Sequence, residues 1–233
     1  MTRRSWAASA VLIVLALAGT FRLQRSRTAQ LFGELVARVE TRDSVVALTF
    51  DDGPTDGAGE LLDYLRAERV PATFYVIGRG VGEHPEVARR LVADGHELGN
   101  HTFNHRRMVF RSPAYIRSEV ERTDSAIRAV GFAGPITFRP PYSKKLVGLP
   151  LYLARTGRVT ATWDVEPESY PEVAGDSGAT VRHVMERVRP GSIILLHPWY
   201  RSGGATRRAV PAIVAGLRAR GYRFVTVTEL RRR

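Results

Sequence analysis

The sequence contains no cysteine, and its only lysines are the adjacent pair Lys144 and Lys145. Without cysteine there is no disulfide scaffold, so the fold must depend on its hydrophobic core. A chain of 233 residues is long enough for one sizeable core, and no internal repeat or low-complexity tract divides it. We therefore expect one monomeric globular domain preceded by an N-terminal segment.

The first 27 residues lack acidic side chains, and arginines flank an apolar run from Trp6 to Phe21. As a helix these 16 residues would be about 24 Å long, which is shorter than the roughly 30 Å hydrocarbon core of a bilayer. Ala16-Leu17-Ala18 is a weak cleavage pattern, whereas the flanking arginines favour a retained membrane anchor. A cleaved signal and an anchor both remain open, and both predict an extracytoplasmic protein.

The rest of the chain divides into a tether or short amphipathic helix over residues 28–43 and a domain over residues 44–233. The net charge is +12, and removing the five arginines of residues 1–27 leaves about +7. These positive residues are scattered and are not interleaved with aromatic ones. This pattern argues against a nucleic-acid partner and favours an anionic envelope or lipid surface.

Apolar, β-rich runs alternate with helix-like stretches throughout the domain, which predicts an α/β fold with a parallel sheet. The predicted strands cover residues 45–50, 72–77, 97–100, 136–138, 159–163, 192–196 and 224–227. The predicted helices cover residues 59–68, 85–94, 113–130, 144–156, 180–187 and 206–220. Seven strands fit either an open doubly wound sheet or a barrel, and only a barrel brings all strand ends around one mouth.

Ionisable residues follow several of these strands, which suggests one shared site. His101 and His105 are four residues apart, so on a helical turn both imidazoles could bind one divalent ion. The adjacent Asp51 and Asp52 point to different sides of their strand, so one could bind a metal while the other handles protons. Two histidines and one carboxylate leave a coordination position open for water, as hydrolysis requires.

Four segments in this order resemble the motifs of the polysaccharide deacetylases, carbohydrate esterase family 4, which share the NodB-homology domain. The segments are Thr49-Phe50-Asp51-Asp52-Gly53-Pro54, His101-Thr102-Phe103-Asn104-His105, Phe138-Arg139-Pro140-Pro141-Tyr142 and Leu195-Leu196-His197. The similarity covers about residues 44 to 230. It implies a distorted (β/α) barrel of about seven parallel strands, here preceded by an N-terminal apolar helix.

The resemblance also implies roles for individual residues. Asp52, His101 and His105 would bind one divalent metal ion, with zinc expected and cobalt or manganese as alternatives. The catalytic roles would belong to four further residues: Asp51 as general base, Arg139 holding Asp51 ionised, the Tyr142 N–H binding the oxyanion, and His197 as general acid.

One motif departs from the family pattern. Ser169 replaces an acid that tunes the histidine acid, so His197 would be weakened unless Asp164, Glu166 or Glu168 substitutes. Tyr170 replaces a tryptophan of the substrate wall. With Tyr142 and Trp199, it is expected to contact the sugar, although Trp199 could equally pack against the barrel rim.

The resemblance thus implies an exported, metal-dependent hydrolase that removes N-acetyl groups from an envelope glycan. Peptidoglycan is the favoured substrate, followed by chitin-like oligomers and O-acetyl esters of xylan. Two other classes remain open, namely a catalytically weak glycan-binding protein and a structural envelope protein.

Overall fold

The computed structural model describes the backbone of residues 3–233 and the side chains of residues 12–233. The strands are β1 (Leu35–Val36), β2 (Val45–Gly53), β3 (Thr73–Val76), β4 (Glu97–Asn100), β5 (Thr160–Ala161), β6 (Ile193–Leu196) and β7 (Arg223–Phe224). The helices are α1 (Arg3–Arg25), α2 (Gly59–Ala67), α3 (Gly78–Glu83), α4 (Pro85–Ala93), α5 (Pro113–Ala129), α6 (Gly148–Arg155), α7 (Ser177–Arg187), α8 (Gly204–Ala219) and α9 (Val227–Leu230). Short 3-10 turns cover Asp56–Ala58, Pro141–Ser143, Pro167–Ser169 and Arg201–Gly203.

Strand β2 is the centre of the main sheet, as its largely apolar stretch from Val45 to Phe50 predicts for a strand covered on both faces. It pairs in parallel with β3, β6 and β7, and β4 extends the sheet beyond β3. The larger hydrophobic cluster lies between this sheet and helices α2, α4, α5, α7 and α8. Because the strands are parallel, the residues that follow them lie along one edge of the sheet.

The predicted distorted barrel is present only in part, because the strands in the described part of the chain do not close into a continuous sheet. Strands β1 and β5 make a separate parallel pair. Single bridges from Asn100 to Phe138 and from Phe138 to Thr160 connect this pair to β4, and another joins Val165 to Ile194 of β6. The architecture is an α/β fold with parallel strands in which the predicted strand at 136–138 is reduced to bridges.

Local chemistry at Arg139 explains why the ladder stops there. Pro140 and Pro141 follow directly and have no N–H to donate to a neighbouring strand. The carbonyl oxygens of Ala161 and Thr162 accept hydrogen bonds from the Arg139 guanidinium. After Arg139, regular backbone pairing between strands is therefore replaced by hydrogen bonds from the Arg139 side chain.

The six helices predicted for the domain are all present, with ends shifted by a few residues. Helix α3 was not predicted because three of its six residues are glycine. The last predicted strand ends early, since Thr226 and Glu229 form a capping box that starts α9. Within residues 28–43 there is no helix; instead β1 pairs with β5.

Helix α1 covers the predicted targeting segment. None of the helices in the described residues combines the length and apolar character needed to cross a membrane. A membrane-spanning anchor was one of the two alternatives expected for this segment, and the apolar run of α1 includes several weakly apolar residues. The side chains of Arg3, Arg4 and Trp6, which flank the predicted span, lie outside the described residues.

Candidate metal centre and active site

Asp52 lies between two imidazoles at the carboxyl edge of the sheet. Its Oδ1 is 3.0 Å from Nε2 of His105 and 3.4 Å from Nε2 of His101. The three ligand atoms lie within 4.8 Å of one another, and Asp52 Oδ1 is buried without a hydrogen bond of normal geometry. A buried oxygen without a partner, next to two imidazole nitrogens, fits a divalent cation such as zinc.

The electrostatics of this group also suit a cation. Burial alone would raise the pKa of Asp52, but the two neighbouring imidazoles outweigh this effect and hold the pKa far below its usual range. Asp52 is therefore ionised, as a metal ligand must be. It adopts a left-handed backbone conformation, with φ of 73°, which turns its side chain away from that of Asp51.

The two histidines do not lie on the helical turn that their spacing suggested. Thr102 and His105 have φ of 68° and 53°, so residues 101–105 form an irregular turn after β4. The Nδ1–H of His101 donates to the Arg139 carbonyl at 2.7 Å, since a carbonyl can only accept. That bond fixes the tautomer and leaves the His101 Nε2 lone pair facing Asp52.

Asp51 and Arg139 form a buried ion pair beside the candidate metal centre. An Nη of Arg139 lies 2.7 Å from Asp51 Oδ1 and donates to the Thr49 hydroxyl at 2.8 Å. The guanidinium also stacks on the Tyr75 ring, 3.9 Å from its centroid. Asp51 Oδ2 is left facing His101 Nε2 at 3.6 Å, so this oxygen is the one available for proton transfer.

His197 follows β6, and its Nδ1 lies 2.5 Å from Oε2 of Glu168. The other carboxylate oxygen of Glu168 accepts from the His197 N–H at 3.2 Å and from the Thr206 hydroxyl. Burial lowers the pKa of His197, but the Glu168 hydrogen bond and the charges of Asp51, Glu168 and Asp52 raise it to about 9. His197 is therefore an imidazolium near neutral pH.

Of the three acids that could replace the absent acid at Ser169, only Glu168 reaches His197. Glu166 instead binds Arg27 at 2.6 Å and accepts from Trp163 and Ser169. Asp164 accepts from the Ser192 hydroxyl and the Ile193 N–H, both at 2.8 Å.

The three predicted sugar contacts fare differently. Tyr142, with φ of 56°, is 57 % exposed, and its ring lies 4.9 Å from that of His105. Trp199 is only 2 % exposed and packs edge-on against Phe74, which favours the alternative that it packs against the rim over its predicted contact with sugar. Tyr170 packs against His183, with ring centroids 4.6 Å apart, and lies outside the cavity described next.

The candidate metal ligands, Asp51 and His197 line a cavity of about 350 Å³, which we call the central cavity. Its lining consists of Arg25, Arg27, Asp51, Asp52, His101, His105, Tyr142, Ser143, Trp163, Glu166, Ser169, Leu195 and His197. Neither Arg25, the last residue of α1, nor Arg27, which follows that helix, was predicted from the sequence as a site residue. No local signal links Arg27 to Glu166, which is 139 positions away.

Several contacts hold residues 24–27 against the cavity wall. The Lys145 N–H donates to the Gln24 carbonyl at 3.0 Å, and its ammonium donates to the Ser26 carbonyl. Burial lowers the pKa of Lys145 to about 8. The Thr162 hydroxyl donates to the Arg27 carbonyl, and the Arg27 guanidinium lies over the Trp163 ring at 4.9 Å. The segment is thus an integral wall of the site.

The central cavity presents a carboxylate able to accept a proton, an imidazolium able to donate one, and a candidate cation site. Hydrolysis of an amide needs these functions together. The fold and site therefore define a hydrolase.

The polysaccharide deacetylase family profile matches residues 38–165, more than half of the chain. A chitooligosaccharide deacetylase of Bradyrhizobium sp. is 36 % identical, with 79 % of this chain and 90 % of the relative aligned. A peptidoglycan-N-acetylglucosamine deacetylase of Bacillus cereus is 32 % identical over 86 % of this chain and 94 % of the relative. The chain belongs to the polysaccharide deacetylase family, hydrolases of carbon–nitrogen bonds.

Solved structures agree with this assignment. A crystal structure of a peptidoglycan N-acetylglucosamine deacetylase superposes with a TM-score of 0.78 at 26 % identity, covering 84 % of this chain and 91 % of that one.

Proposed function

We propose that this chain removes the N-acetyl group from N-acetylglucosamine-type residues of an envelope polysaccharide outside the cytoplasm, with peptidoglycan as the favoured substrate. The observation that carries the proposal is the meeting of Asp51, His197 and the Asp52–His101–His105 group in one cavity. Relatives named as deacetylases of peptidoglycan and of chitooligosaccharides support the substrate class. We assign catalysis to the domain of residues 44–233, with residues 24–27 completing the cavity wall.

The metal would be held by Asp52, His101 and His105, and a zinc ion there would supply Lewis-acid polarisation of the acetyl carbonyl and of water. Asp51 then accepts a proton from the attacking water through Oδ2. Arg139 keeps Asp51 ionised and fixes its other oxygen, so the free oxygen is aimed into the cavity.

The remaining steps concern the oxyanion and the leaving group. The Tyr142 N–H contributes to binding the oxyanion that forms at the acetyl carbon. His197 donates its proton to the departing nitrogen, because expulsion of an unprotonated amide nitrogen is prohibitive. Glu168 keeps His197 protonated and oriented, so it can perform the role of the acid that Ser169 replaces.

The direct test is acetate release from tetra-N-acetylchitotetraose and from peptidoglycan glycan strands by the zinc-loaded protein. We expect release from both, and none from the Asp52→Ala variant. Acetate release from neither substrate by a folded, zinc-loaded chain would refute the proposal.

A further inference from the structure

A second cavity, of about 550 Å³, shares His105 and Tyr142 with the central cavity. We call it the basic cleft, because four arginines line it and no acidic side chain in the described residues does so. These arginines are Arg79, Arg106, Arg107 and Arg111. The basic cleft therefore adjoins the cavity in which the acetyl group would react.

The guanidinium groups of the basic cleft are largely uncompensated. Within residues 12–233, no ion pair involves Arg106, Arg107 or Arg111, and Arg79 lies 3.6 Å from Glu83 with both side chains well exposed. Arg27, on the wall of the central cavity, differs because Glu166 neutralises it at 2.6 Å. Three arginines without an ion-pair partner among the described residues therefore lie on the side of the candidate centre that includes the turn after β4.

The loop that supplies Arg106, Arg107 and Arg111 is held in place. Asn104 is bound by Glu119 through both its backbone N–H, at 2.8 Å, and its side-chain amide, at 2.6 Å. Arg107 lies over the Tyr142 ring at 5.4 Å, and Arg111 Nε donates to the Arg107 carbonyl at 3.1 Å. These contacts pre-order the loop, which lowers the entropy cost of binding an anion.

We propose that the basic cleft binds a carboxylate carried by the sugar next to the one that loses its acetyl group. The inference rests on the proposed function and narrows its substrate to anionic amino-sugar glycans. Guanidinium groups suit carboxylates because they donate parallel hydrogen bonds to both oxygens. In peptidoglycan the carboxylate could be the lactyl group of a peptide-free muramic residue or belong to an attached peptide.

The test compares three oligosaccharides of equal length, namely a neutral chitin oligomer, a peptide-free glycan with lactyl carboxylates, and a peptide-bearing glycan. The wild-type protein should show a higher kcat/KM for a carboxylate-bearing glycan than for the neutral one. In Arg106→Gln/Arg107→Gln this preference should fall about tenfold, mainly through KM, and added salt should reduce the wild-type preference. The glycan whose preference falls identifies which carboxylate is bound.

The matched control is Arg89→Gln/Arg155→Gln, which removes the same charge from exposed arginines outside both cavities. It should retain the wild-type preference. Equal preference in wild type and Arg106→Gln/Arg107→Gln would overturn the proposal. So would unchanged glycan preference in that variant accompanied by lost binding to anionic lipid vesicles, which would assign the arginines to a membrane surface.

Binding measured without turnover separates this inference from the proposed function. In the Asp51→Asn background, the carboxylate-bearing glycan should bind more tightly than the neutral one, and Arg106→Gln/Arg107→Gln should remove the difference. Absence of acetate release from every glycan would count against the proposed function alone. Equal binding of charged and neutral glycans would count against the basic cleft.

Discussion

Replacing Glu168 with glutamine should weaken His197 as an acid catalyst in a pH-dependent way. The Glu168 carboxylate helps raise the pKa of His197 from 6.5 to about 9. At pH 8, about 90 % of His197 is protonated with a pKa of about 9, against about 3 % with a pKa of 6.5. Because the charges of Asp51 and Asp52 remain, we expect Glu168→Gln to lower kcat/KM about tenfold at pH 8.

The loss of activity in Glu168→Gln should be confined to high pH. His197 must be protonated to act, so activity falls as pH rises through its pKa, and the variant should lose activity at a lower pH. The alkaline limb of the kcat/KM profile should move down by about one unit or more, with rates near wild type at pH 6.

The assay is acetate release from tetra-N-acetylchitotetraose between pH 5 and pH 10. Ser169→Ala is the control, since Ser169 contacts Glu166 and Arg27 but not His197, and its alkaline limb should stay in place. Glu168→Asp should recover part of the shift. If Glu168→Gln lowered the rate by the same factor at every pH, the carboxylate would not be setting the pKa of His197.

Three further predictions concern the base, its partner and the N-terminal segment. Asp51→Asn should lower kcat by about 10²- to 10⁴-fold with zinc content unchanged by elemental analysis, and a wild-type rate would exclude Asp51 as base. Arg139→Met should lower the free energy of unfolding by about 3–5 kcal/mol and Tm by roughly 6–20 °C, because it leaves the buried Asp51 carboxylate without its ion-pair partner. An unchanged melting curve would contradict this prediction. A chain starting at Gln30 should show a higher KM and a lower Tm than one starting at Gly19, whereas equal values would show that residues 24–27 do not matter.

The candidate metal ligands could be predicted because their positions follow from topology. Asp52 lies at the carboxyl end of β2 and His101 directly follows β4, and parallel strands place such residues at a shared edge. The sequence could not show that residues 101–105 form an irregular turn, because that turn depends on Glu119 holding Asn104 and on the Arg139 carbonyl fixing His101. The backbone conformation of this turn is therefore set by residues that are distant in the sequence.

The surroundings of Trp199, Arg27 and Glu168 also depend on residues that are distant in the sequence or on the local turn. Trp199 reads as a sugar-binding aromatic from its position beside His197, but its burial depends on Phe74 in a strand far away along the chain. The composition of residues 1–27 predicts a targeting segment, but the ion pair with Glu166 places Arg27 on the wall of the central cavity. Glu168 could be named only as one of three acids, since its reach to His197 depends on the 3-10 turn at Pro167–Ser169.

A zinc titration of the metal-free protein tests the central claim most directly. Acetate release should rise in proportion to added zinc and level off at one equivalent per chain, and Asp52→Ala should retain neither the zinc nor the activity. Full activity in the metal-free protein, or tight binding of one zinc by Asp52→Ala, would contradict the assignment of Asp52, His101 and His105 as the metal centre.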